Sequence, residues 1–280
     1  NRQNGVPLRS RLIASLPTLA QWGMQAPALA NAVLSSGLVR RAFGLTPKYN
    51  LPRLARQTWL DWWQLRPTAK SEQKGRILLV VDPFTNYLEP EIGKAAVEFF
   101  EWAGYQVELT PCLSSGRLQI SQGMLTDARA SLTRMIEELY PAAAQGVPII
   151  GIEPAELLTL HDEAIDLVDR EDLRNRARTL AAGTWLFEEW VCRMQRNLGL
   201  EIPQQQSEQQ ILVHTHCHQK ALSKPQAAVD CLEIIPDTRV KAINSGCCGM
   251  AGAFGYELEH ADTARAIGEL SLLPAVRQAA

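Results

Sequence analysis

Two stretches of this sequence repeat the same order of strand, turn and helix, and this repeat constrains the fold more than any other feature. In the first stretch a β-favouring run ends at Asp82-Pro83, and in the second a similar run ends at His216-Cys217. Each stretch then contains another run of this kind, and the two align so that Ser114-Ser115 falls on Cys247-Cys248. Such repetition predicts two copies of one structural unit. The aligned segments are 77–83 with 211–217 and 107–116 with 240–249.

The order of strands and helices predicts a parallel sheet, because parallel strands need crossover connections that are usually helical. Two βαβ half-units can pair about a pseudo-twofold axis, so that their strand ends surround one crevice. The fold class predicted is therefore α/β, with two pseudo-symmetric parallel-sheet βαβ half-units preceded by an α-helical segment. The predicted strands are 76–82, 106–110 and 147–152, the predicted helices are 91–102 and 126–139, and a further helical pattern covers 154–200.

Polar linkers divide the chain into three predicted domains. A helical segment occupies residues 1–70, the first half-unit with a helical extension occupies 71–203, and the second half-unit occupies 204–280. The linkers are the polar stretch Pro67–Lys74 and the glutamine-rich stretch Gln204–Gln210.

An aromatic cluster lies near the end of the helical segment. Trp59, Trp62 and Trp63 are spaced so that they predict a helix with one aromatic face. We expect this face to pack against the next domain. Contact with a quinone or a membrane is the alternative.

The composition excludes several classes of protein. The chain has 280 residues, of which 46% are hydrophobic and 21% charged, and this predicts a globular protein with its own core. A net charge of -2 leaves no basic excess for binding nucleic acid. No apolar run approaches the roughly 18 residues that span a bilayer, and no signal peptide is recognisable. We expect a cytoplasmic protein, with peripheral attachment to the inner membrane as the alternative, and the opening residue Asn1 indicates an excised fragment.

The cysteines indicate a metal site. Six of them are too few and too irregularly spaced for a disulfide framework, which fits a reducing cytosol. Three, Cys217, Cys247 and Cys248, follow consecutive predicted strands of the second half-unit. Because parallel neighbours end at one edge of a sheet, we expect the three sulfurs to meet there. Thiolates suit an iron–sulfur cluster or zinc, and His216, His218 or a carboxylate is the candidate for a fourth ligand.

Three histidines surround the first of these cysteines. His214, His216 and His218 alternate, so in a continuing strand they would share one face and Cys217 would lie on the other. The strand must therefore end near His216 if Cys217 and His218 act together. We interpret His214, which lies deepest in the strand, as a hydrogen-bonded core residue, and assign His216 and His218 to function.

Glycines recur at every third position around the cysteine pair, at Gly246, Gly249, Gly252 and Gly255. Backbone N–H groups of such a segment could bind a phosphate. The favoured interpretation is that glycine lets the backbone wrap closely around a cofactor or the other half-unit.

Other polar and thiol side chains have weaker patterns. Glu153 follows a predicted strand and could be a metal ligand or a proton relay, while a carboxylate at the start of a helix is the alternative. The remaining cysteines have no neighbours that suggest chemistry, and we interpret them as small buried or partly buried side chains. They are Cys112, Cys192 and Cys231.

At these residues the sequence resembles a known family. His-Cys-His-Gln-Lys-Ala-Leu (216–222) and Ser-Gly-Cys-Cys-Gly-Met-Ala-Gly-Ala-Phe-Gly-Tyr-Glu (245–257) look like the second motif pair of the cysteine-rich CCG domain. This domain occurs in glycolate oxidase iron–sulfur subunits, anaerobic glycerol-3-phosphate dehydrogenase subunits and heterodisulfide reductases. The most similar family is a fused one, with an FAD-binding oxidase, a ferredoxin-like module and then this domain, and it includes D-lactate and D-2-hydroxyglutarate dehydrogenases. Supporting segments are 51–59, 81–87, 115–123 and 151–155.

The resemblance implies an oxidoreductase. A complete protein of this family would oxidise a 2-hydroxyacid at FAD and pass the electrons through iron–sulfur centres, including a ferredoxin-type 4Fe-4S cluster, to a quinone or another acceptor. The FAD-binding and ferredoxin-like domains of the same full-length chain would then be the partners of this one. Neither signature is present in the 280 residues, so we do not expect this chain to oxidise a hydroxyacid alone.

The first half-unit departs from the family pattern. Pro83, Ser114, Ser115 and Glu156 stand where cluster-bearing relatives have cysteines. The resemblance therefore implies at most one metal centre, in the second half-unit, with Cys217, Cys247, Cys248 and Gly249 around the cofactor.

The motifs are compatible with three hypotheses for function. The leading one is an electron-transfer or metal-binding domain. The second is a structural domain with vestigial thiols, which covers the flavin domain or holds a homo-oligomer together. The third is thiol redox chemistry at Cys247-Cys248, as in a heterodisulfide reductase, which requires an accessible thiolate.

Overall fold

The polypeptide divides into two units, each with its own parallel sheet. A computed structural model describes residues 5–67, 74–202 and 209–279. The first unit comprises Asn1–Ala32 and Pro52–Phe187, and the second comprises Val33–Leu51 and Glu188–Ala280. The linkers predicted at 67–74 and 204–210 lie largely outside the described residues, so the three domain bounds stay a prediction.

Short helices precede the first strand. They lie between prolines and glycines that interrupt helical periodicity, as the sequence predicts. They are α1 (Leu8–Ala14), α2 (Leu16–Gly23), α3 (Pro27–Ser35), α4 (Gly37–Ala42) and α5 (Trp59–Leu65).

The first unit contains a four-stranded parallel sheet. The strands are β1 (Arg76–Val81), β2 (Gln106–Cys112), β3 (Ile149–Gly151) and β4 (Thr184–Leu186). They lie in the order β2-β1-β3-β4, and every neighbouring pair is parallel. In this order the chain moves from β1 to one side for β2 and to the other for β3, so the topological switch point lies between β1 and β3. The predicted α/β class is confirmed.

Helices cover this sheet and close its core. Ile77 and Leu79 of β1 are fully buried, as are Ile149 and Ile150 of β3. Strands buried on both faces are typical of parallel sheets. Leu132, Met135, Ile136 and Leu139 of α9, at helical spacing, are also fully buried. The helices are α6 (Pro83–Tyr87), α7 (Pro90–Trp102), α8 (Arg117–Ser121), α9 (Leu125–Ala144), α10 (Pro154–Leu157), α11 (Glu163–Leu167) and α12 (Glu171–Gly183), with a 3-10 turn at Leu158–Leu160.

One strand was not predicted. The segment 154–200 has helical periodicity throughout, but Thr184–Leu186 forms the edge strand β4 and pairs with β3. Three residues are too few for an alternating pattern to be recognised between two helices. The extension of the first half-unit is therefore not wholly helical.

The second unit contains a two-stranded parallel sheet, β5 (Gln209–Val213) and β6 (Thr238–Ala242). The segment 33–51 belongs to this unit: the N–H of Thr46 donates to the carbonyl of Tyr256 at 2.8 Å, and Leu45 pairs with Glu257 in an antiparallel bridge. The helices are α13 (Phe187–Leu198), α14 (Cys217–Leu222), α15 (Ala227–Glu233), α16 (Ala261–Glu269) and α17 (Leu272–Ala279), with a 3-10 turn at Phe254–Tyr256.

The aromatic helix α5 packs within the first unit. Thr58 caps it by accepting the N–H of Asp61 at 2.9 Å, which directs Trp59 inward, where it is fully buried. A Cβ atom at Gly93 of α7 would lie 2.3 Å from the Trp59 ring, so the two helices meet at this glycine. The predicted packing of the aromatic helix is thus confirmed for Trp59.

No helix among the described residues is both long and apolar enough to span a bilayer.

The contact between Trp59 and Gly93 can be tested by Gly93→Ala. Helix propensity alone would stabilise the fold by about 1 kcal/mol, because glycine is a poor helix former. Overlap with the Trp59 ring should reverse the sign and lower the free energy of unfolding by about 1–3 kcal/mol. Urea unfolding followed by circular dichroism measures this change. Gly183→Ala on α12, where a Cβ meets nothing within 4 Å, is the matched control and should be neutral or stabilising.

Candidate metal centre

The paired ends of β5 and β6 set the position of the thiol segments. The two strands are in register up to Val213 and Ala242, and the N–H of Ile243 donates to the carbonyl of Val213 at 2.8 Å. Because the strands are parallel, both chains leave the sheet at the same edge. The first leads to Cys217 and the second to the segment Ser245–Met250, called the CCG loop below.

The residues around Cys217 form a compact group of metal-binding side chains. The potential ligand atoms of His216, Cys217 and His218 all lie within 4.8 Å of one another. The Sγ atom of Cys217 is 3.8 Å from Nδ1 of His218, and the two imidazole rings stack with their centroids 5.3 Å apart. Burial lowers the pKa of His216, which favours the neutral imidazole that binds metals. This group can hold a soft metal ion.

The start of α14 produces this group. His216 is the N-cap residue, and its Nδ1 atom accepts the N–H of His218 at 3.2 Å. Cys217 is the first helical residue and is exposed. The strand ends at Val213, before the three histidines, so the condition under which Cys217 and His218 can act together is met. The end of a strand is poorly defined by sequence where polar side chains such as these can cap a helix instead.

His214 has the structural role that was predicted for it. Its Nδ1 atom lies 2.7 Å from Oγ of Ser245 in the CCG loop. The pKa of His214 is lowered, first by burial and then by the charge of Lys220. His214 thus links the end of β5 to the loop that carries the other two thiols.

Backbone donors surround the thiols of the CCG loop. The Sγ atom of Cys247 accepts the N–H of Gly249 at 3.3 Å, and that of Cys248 accepts the N–H of Met250 at 3.5 Å. Cys247 is exposed and Cys248 is half-buried. Among the described residues, these two sulfurs do not join Cys217 in a group with all ligand atoms within 4.8 Å. The three-thiolate ligand set therefore stays a prediction.

Gly249 is required by a close approach of two backbones. Its φ angle is +92°, and a Cβ atom at this position would lie 2.0 Å from the carbonyl oxygen of Ala264 on α16. The interpretation of close wrapping fits this glycine, although its neighbour is a helix of the same unit. A side chain at Gly246 would meet nothing within 4 Å. Phosphate binding by this segment stays a prediction.

The equivalent position of the first half-unit contains a buried carboxylate. Glu156 on α10 accepts the N–H of Ser115 at 2.5 Å and the hydroxyl of Ser114 at 3.4 Å. These hydrogen bonds favour its charged form, but burial outweighs them and raises the pKa of Glu156 to about 7. Burial likewise raises the pKa of Asp82, the N-cap residue of α6, to about 6.

Glu153 caps α10. Its side chain accepts the N–H of Ala155 at 3.0 Å, and burial raises its pKa. This is the helix-start carboxylate that was the alternative to a ligand. Its role as a metal ligand or proton relay stays a prediction.

The remaining cysteines are buried or partly buried, as predicted. Cys192 is buried, and Cys112 and Cys231 are partly buried. Burial raises the pKa of both Cys112 and Cys231 to about 12. Their thiols therefore remain protonated at neutral pH and are poor metal ligands.

Two features were not identified from sequence. The first is Lys220 of α14, which donates to the carbonyl oxygen of Ser245 at 2.6 Å. Its position in the 216–222 motif was the sequence signal that could have identified it. Glu257, Glu259 and His260 also form a group with ligand atoms within 4.8 Å of one another. Glu257 is buried and Glu259 is exposed, and two carboxylates at such short spacing give no distinctive sequence pattern.

Comparison with known proteins identifies relatives. The D-2-hydroxyglutarate dehydrogenase of Escherichia coli (strain K12) is 27% identical over 280 residues, which cover 95% of this chain and 26% of that protein. The enzyme of the same name from Pantoea ananatis (strain AJ13355) is 25% identical over 97% of this chain and 27% of its own length. A subunit of the anaerobic glycerol-3-phosphate dehydrogenase of Escherichia coli (strain K12) is 23% identical over 82% of this chain and 57% of its own length.

The chain is homologous to part of these proteins. The relationship inferred from the motifs is therefore confirmed, and it connects the chain to oxidoreductases. The chain spans only 26% of the first dehydrogenase. No family model matches the chain, and no solved structure matches it significantly.

Glu156 should make stability depend on pH. Its pKa rises from 4.5 to about 7 on folding, so the folded state binds more protons than the unfolded state between these values. Its contribution is present below pH 4.5 and is lost as the pH rises through about 7. Glu156→Gln should remove this loss and, above pH 7, raise the free energy of unfolding by on the order of 1–3 kcal/mol. Urea unfolding from pH 5 to 8 would measure it, and Glu138→Gln, on the exposed face of α9, should leave the wild-type pH dependence unchanged.

Gly249 should not tolerate any side chain. Gly249→Ala places a Cβ against the Ala264 carbonyl and forces a positive φ on alanine, so we expect the free energy of unfolding to fall by at least about 2 kcal/mol. Gly246→Ala in the same loop, with no neighbour within 4 Å, should change it by less than about 0.5 kcal/mol. Equal effects of the two substitutions would contradict the close approach to α16.

Proposed function

We propose that this chain is the metal-binding, electron-transfer domain of an FAD- and iron–sulfur-dependent 2-hydroxyacid dehydrogenase. Its ligands are the thiolates of Cys217, Cys247 and Cys248, completed or tuned by His216 or His218. An iron–sulfur cluster is the proposed cofactor, and zinc is the alternative that the same donors would accept.

The observation that carries this proposal is the attachment of both thiol segments to one point. His214, at the end of β5, contacts the side chain of Ser245, and Lys220 of α14 bonds to its carbonyl oxygen. Ser245 lies two residues before Cys247, and Cys217 lies three residues before Lys220. The helix that begins at Cys217 and the loop that contains Cys247-Cys248 are thus joined directly.

The donor chemistry fits an iron–sulfur cluster. Three thiols and two imidazoles are soft or borderline donors, and no carboxylate belongs to the group formed by His216, Cys217 and His218. N–H groups directed at Cys247 and Cys248 would stabilise the negative charge of thiolates. Such hydrogen bonds also tune the potential of a bound cluster.

Each residue then has a separate role. A bound cluster would supply one-electron chemistry, which the side chains of this chain lack. Cys217 and Cys247, which are exposed, and Cys248, which is half-buried, would be the thiolate ligands. His216 accepts the backbone N–H of His218 and so fixes the start of the helix that carries Cys217 and His218.

The first half-unit supports a single centre. Ser114 and Ser115 stand where the cluster-bearing proteins of the resembled family have cysteines. The Ser114 hydroxyl and the Ser115 N–H both donate to Glu156, so they are already paired with a carboxylate. Cys112, the nearby thiol, has a strongly raised pKa. These properties disfavour a second cluster.

The wider assignment rests on homology. Two relatives are named D-2-hydroxyglutarate dehydrogenases and are almost four times as long as the matching region. We propose that FAD-binding and ferredoxin-like domains, the latter with a 4Fe-4S cluster, complete the protein and deliver electrons from a 2-hydroxyacid to this domain. A quinone or another acceptor would then receive them.

Removal of a ligand thiol should abolish metal binding. Cys217→Ser and Cys247→Ser should each lower the iron content of anaerobically purified chain by roughly tenfold or more and remove the visible absorption of the cluster. Elemental analysis for iron and zinc, together with absorption spectra, measures both effects. Cys231→Ser, which changes a partly buried thiol of α15, is the control and should keep the wild-type metal content.

The same measurements separate the alternatives. Unchanged metal in both ligand variants would show that the ligand assignment is wrong. A wild-type chain without iron or zinc after anaerobic reconstitution would favour a structural domain with vestigial thiols. Rapid alkylation of Cys247 or Cys248 in that metal-free chain would instead favour thiol redox chemistry.

A further inference from the structure

Lys220 connects the two thiol segments of the second unit. It follows Cys217 by three residues on α14, so both side chains lie on the same side of the helix. Its Nζ atom donates to the carbonyl oxygens of Ser245 at 2.6 Å and Gly246 at 3.3 Å. These are the two residues immediately before Cys247.

A simpler explanation for this lysine is insufficient. A cation in the last turn of a helix is stabilised by the carbonyl groups at that end of the helix. The hydrogen bonds of the Lys220 ammonium, however, go to the carbonyls of a different segment. The contact therefore fixes the CCG loop.

The charge of Lys220 is not neutralised by a neighbouring acid. Within the described part of the chain, no carboxylate lies within salt-bridge distance of its ammonium group. The ammonium bonds to the carbonyl oxygen of Ser245 at 2.6 Å, and the side chain of the same serine contacts His214 at the end of β5. The positive charge of Lys220 therefore lies near the end of β5, at the edge from which both thiol segments leave the sheet.

We propose that Lys220 is a positioning residue of the metal centre, which holds the CCG loop against the Cys217 helix and offsets the negative charge of the thiolate ligands. This rests on the proposed function. The two roles are separable. The hydrogen bonds keep the three sulfurs close together and so affect the affinity for the metal. The positive charge stabilises the reduced, more negative state of the site and so affects its midpoint potential.

The test uses the 280-residue chain reconstituted anaerobically with ferrous iron and sulfide. Lys220→Met removes both donor and charge, Lys220→Gln keeps N–H donors without the charge, and Lys220→Arg keeps both. Lys224→Met is the control, because Lys224 is an exposed lysine in the turn after α14. Iron affinity, the midpoint potential of the cluster and the far-ultraviolet circular dichroism are measured for each.

We expect Lys220→Met to weaken iron binding by roughly 10- to 100-fold, the usual effect of losing a group that orients metal ligands. In its remaining cluster, and in that of Lys220→Gln, the midpoint potential should be more negative than in the wild type. Lys220→Arg should restore affinity and potential, and Lys224→Met should match the wild type. A purely structural lysine would change stability without moving the potential.

Two results would overturn the inference, and only the second would also overturn the proposed function. If the wild-type chain binds a cluster and both Lys220→Met and Lys220→Gln retain its affinity and potential, Lys220 has no such role and the proposed function stands. If the wild-type chain binds no cluster, the proposed function fails and this inference fails with it. Should Lys220→Met lose its helical spectrum, the folded Lys220→Gln and Lys220→Arg chains decide by their difference in potential.

Discussion

Parallel pairing of β5 with β6 is the constraint on which the candidate site depends. The ladder ends at Val213 and Ile243, so two segments that are 30 residues apart in the sequence leave the sheet side by side. This shared exit alone does not fix the positions of the thiols, because loops beyond a strand end have many conformations. Ser245 supplies the fixation, since His214 bonds to its side chain and Lys220 to its carbonyl oxygen. Polar contacts around Ser245 therefore join the two segments that carry the thiols.

The two halves of the repeat place different side chains at the equivalent edges of their two sheets. In the first, Glu156 accepts hydrogen bonds from the serine pair and is fully enclosed, which raises its pKa to about 7. A proton can then remove the charge that burial disfavours. In the second, cysteines replace the serines and remain exposed or half-buried. Thiolates that bind a metal need no such enclosure, because the cation itself balances their charge.

The sequence predicted the regular elements well and the local geometry of the site less well. Helix α7 and strand β2 begin within one residue of the predicted positions, because their apolar spacing is regular and Gly104 marks the turn between them. Strand β4 was missed, since three residues carry no periodicity. The histidines were placed on a strand that ends earlier than expected, because capping by His216 competes with strand extension. Bonds between distant segments, such as that of Lys220 with Ser245, are set by tertiary packing and leave no local pattern.

The environment of each cysteine explains why residue type alone could not identify the site. Cys112 and Cys231 are enclosed by protein, and burial raises the pKa of each to about 12. Cys217 follows a strand by four residues, and Cys247 follows one by five, so both emerge at a sheet edge and are exposed. The difference follows from position relative to strand ends, which the repeat revealed. Cys231 lies inside helix α15 and Cys112 is still part of strand β2, whereas a thiol that lies beyond the end of a parallel strand faces the edge where ligands of α/β proteins bind.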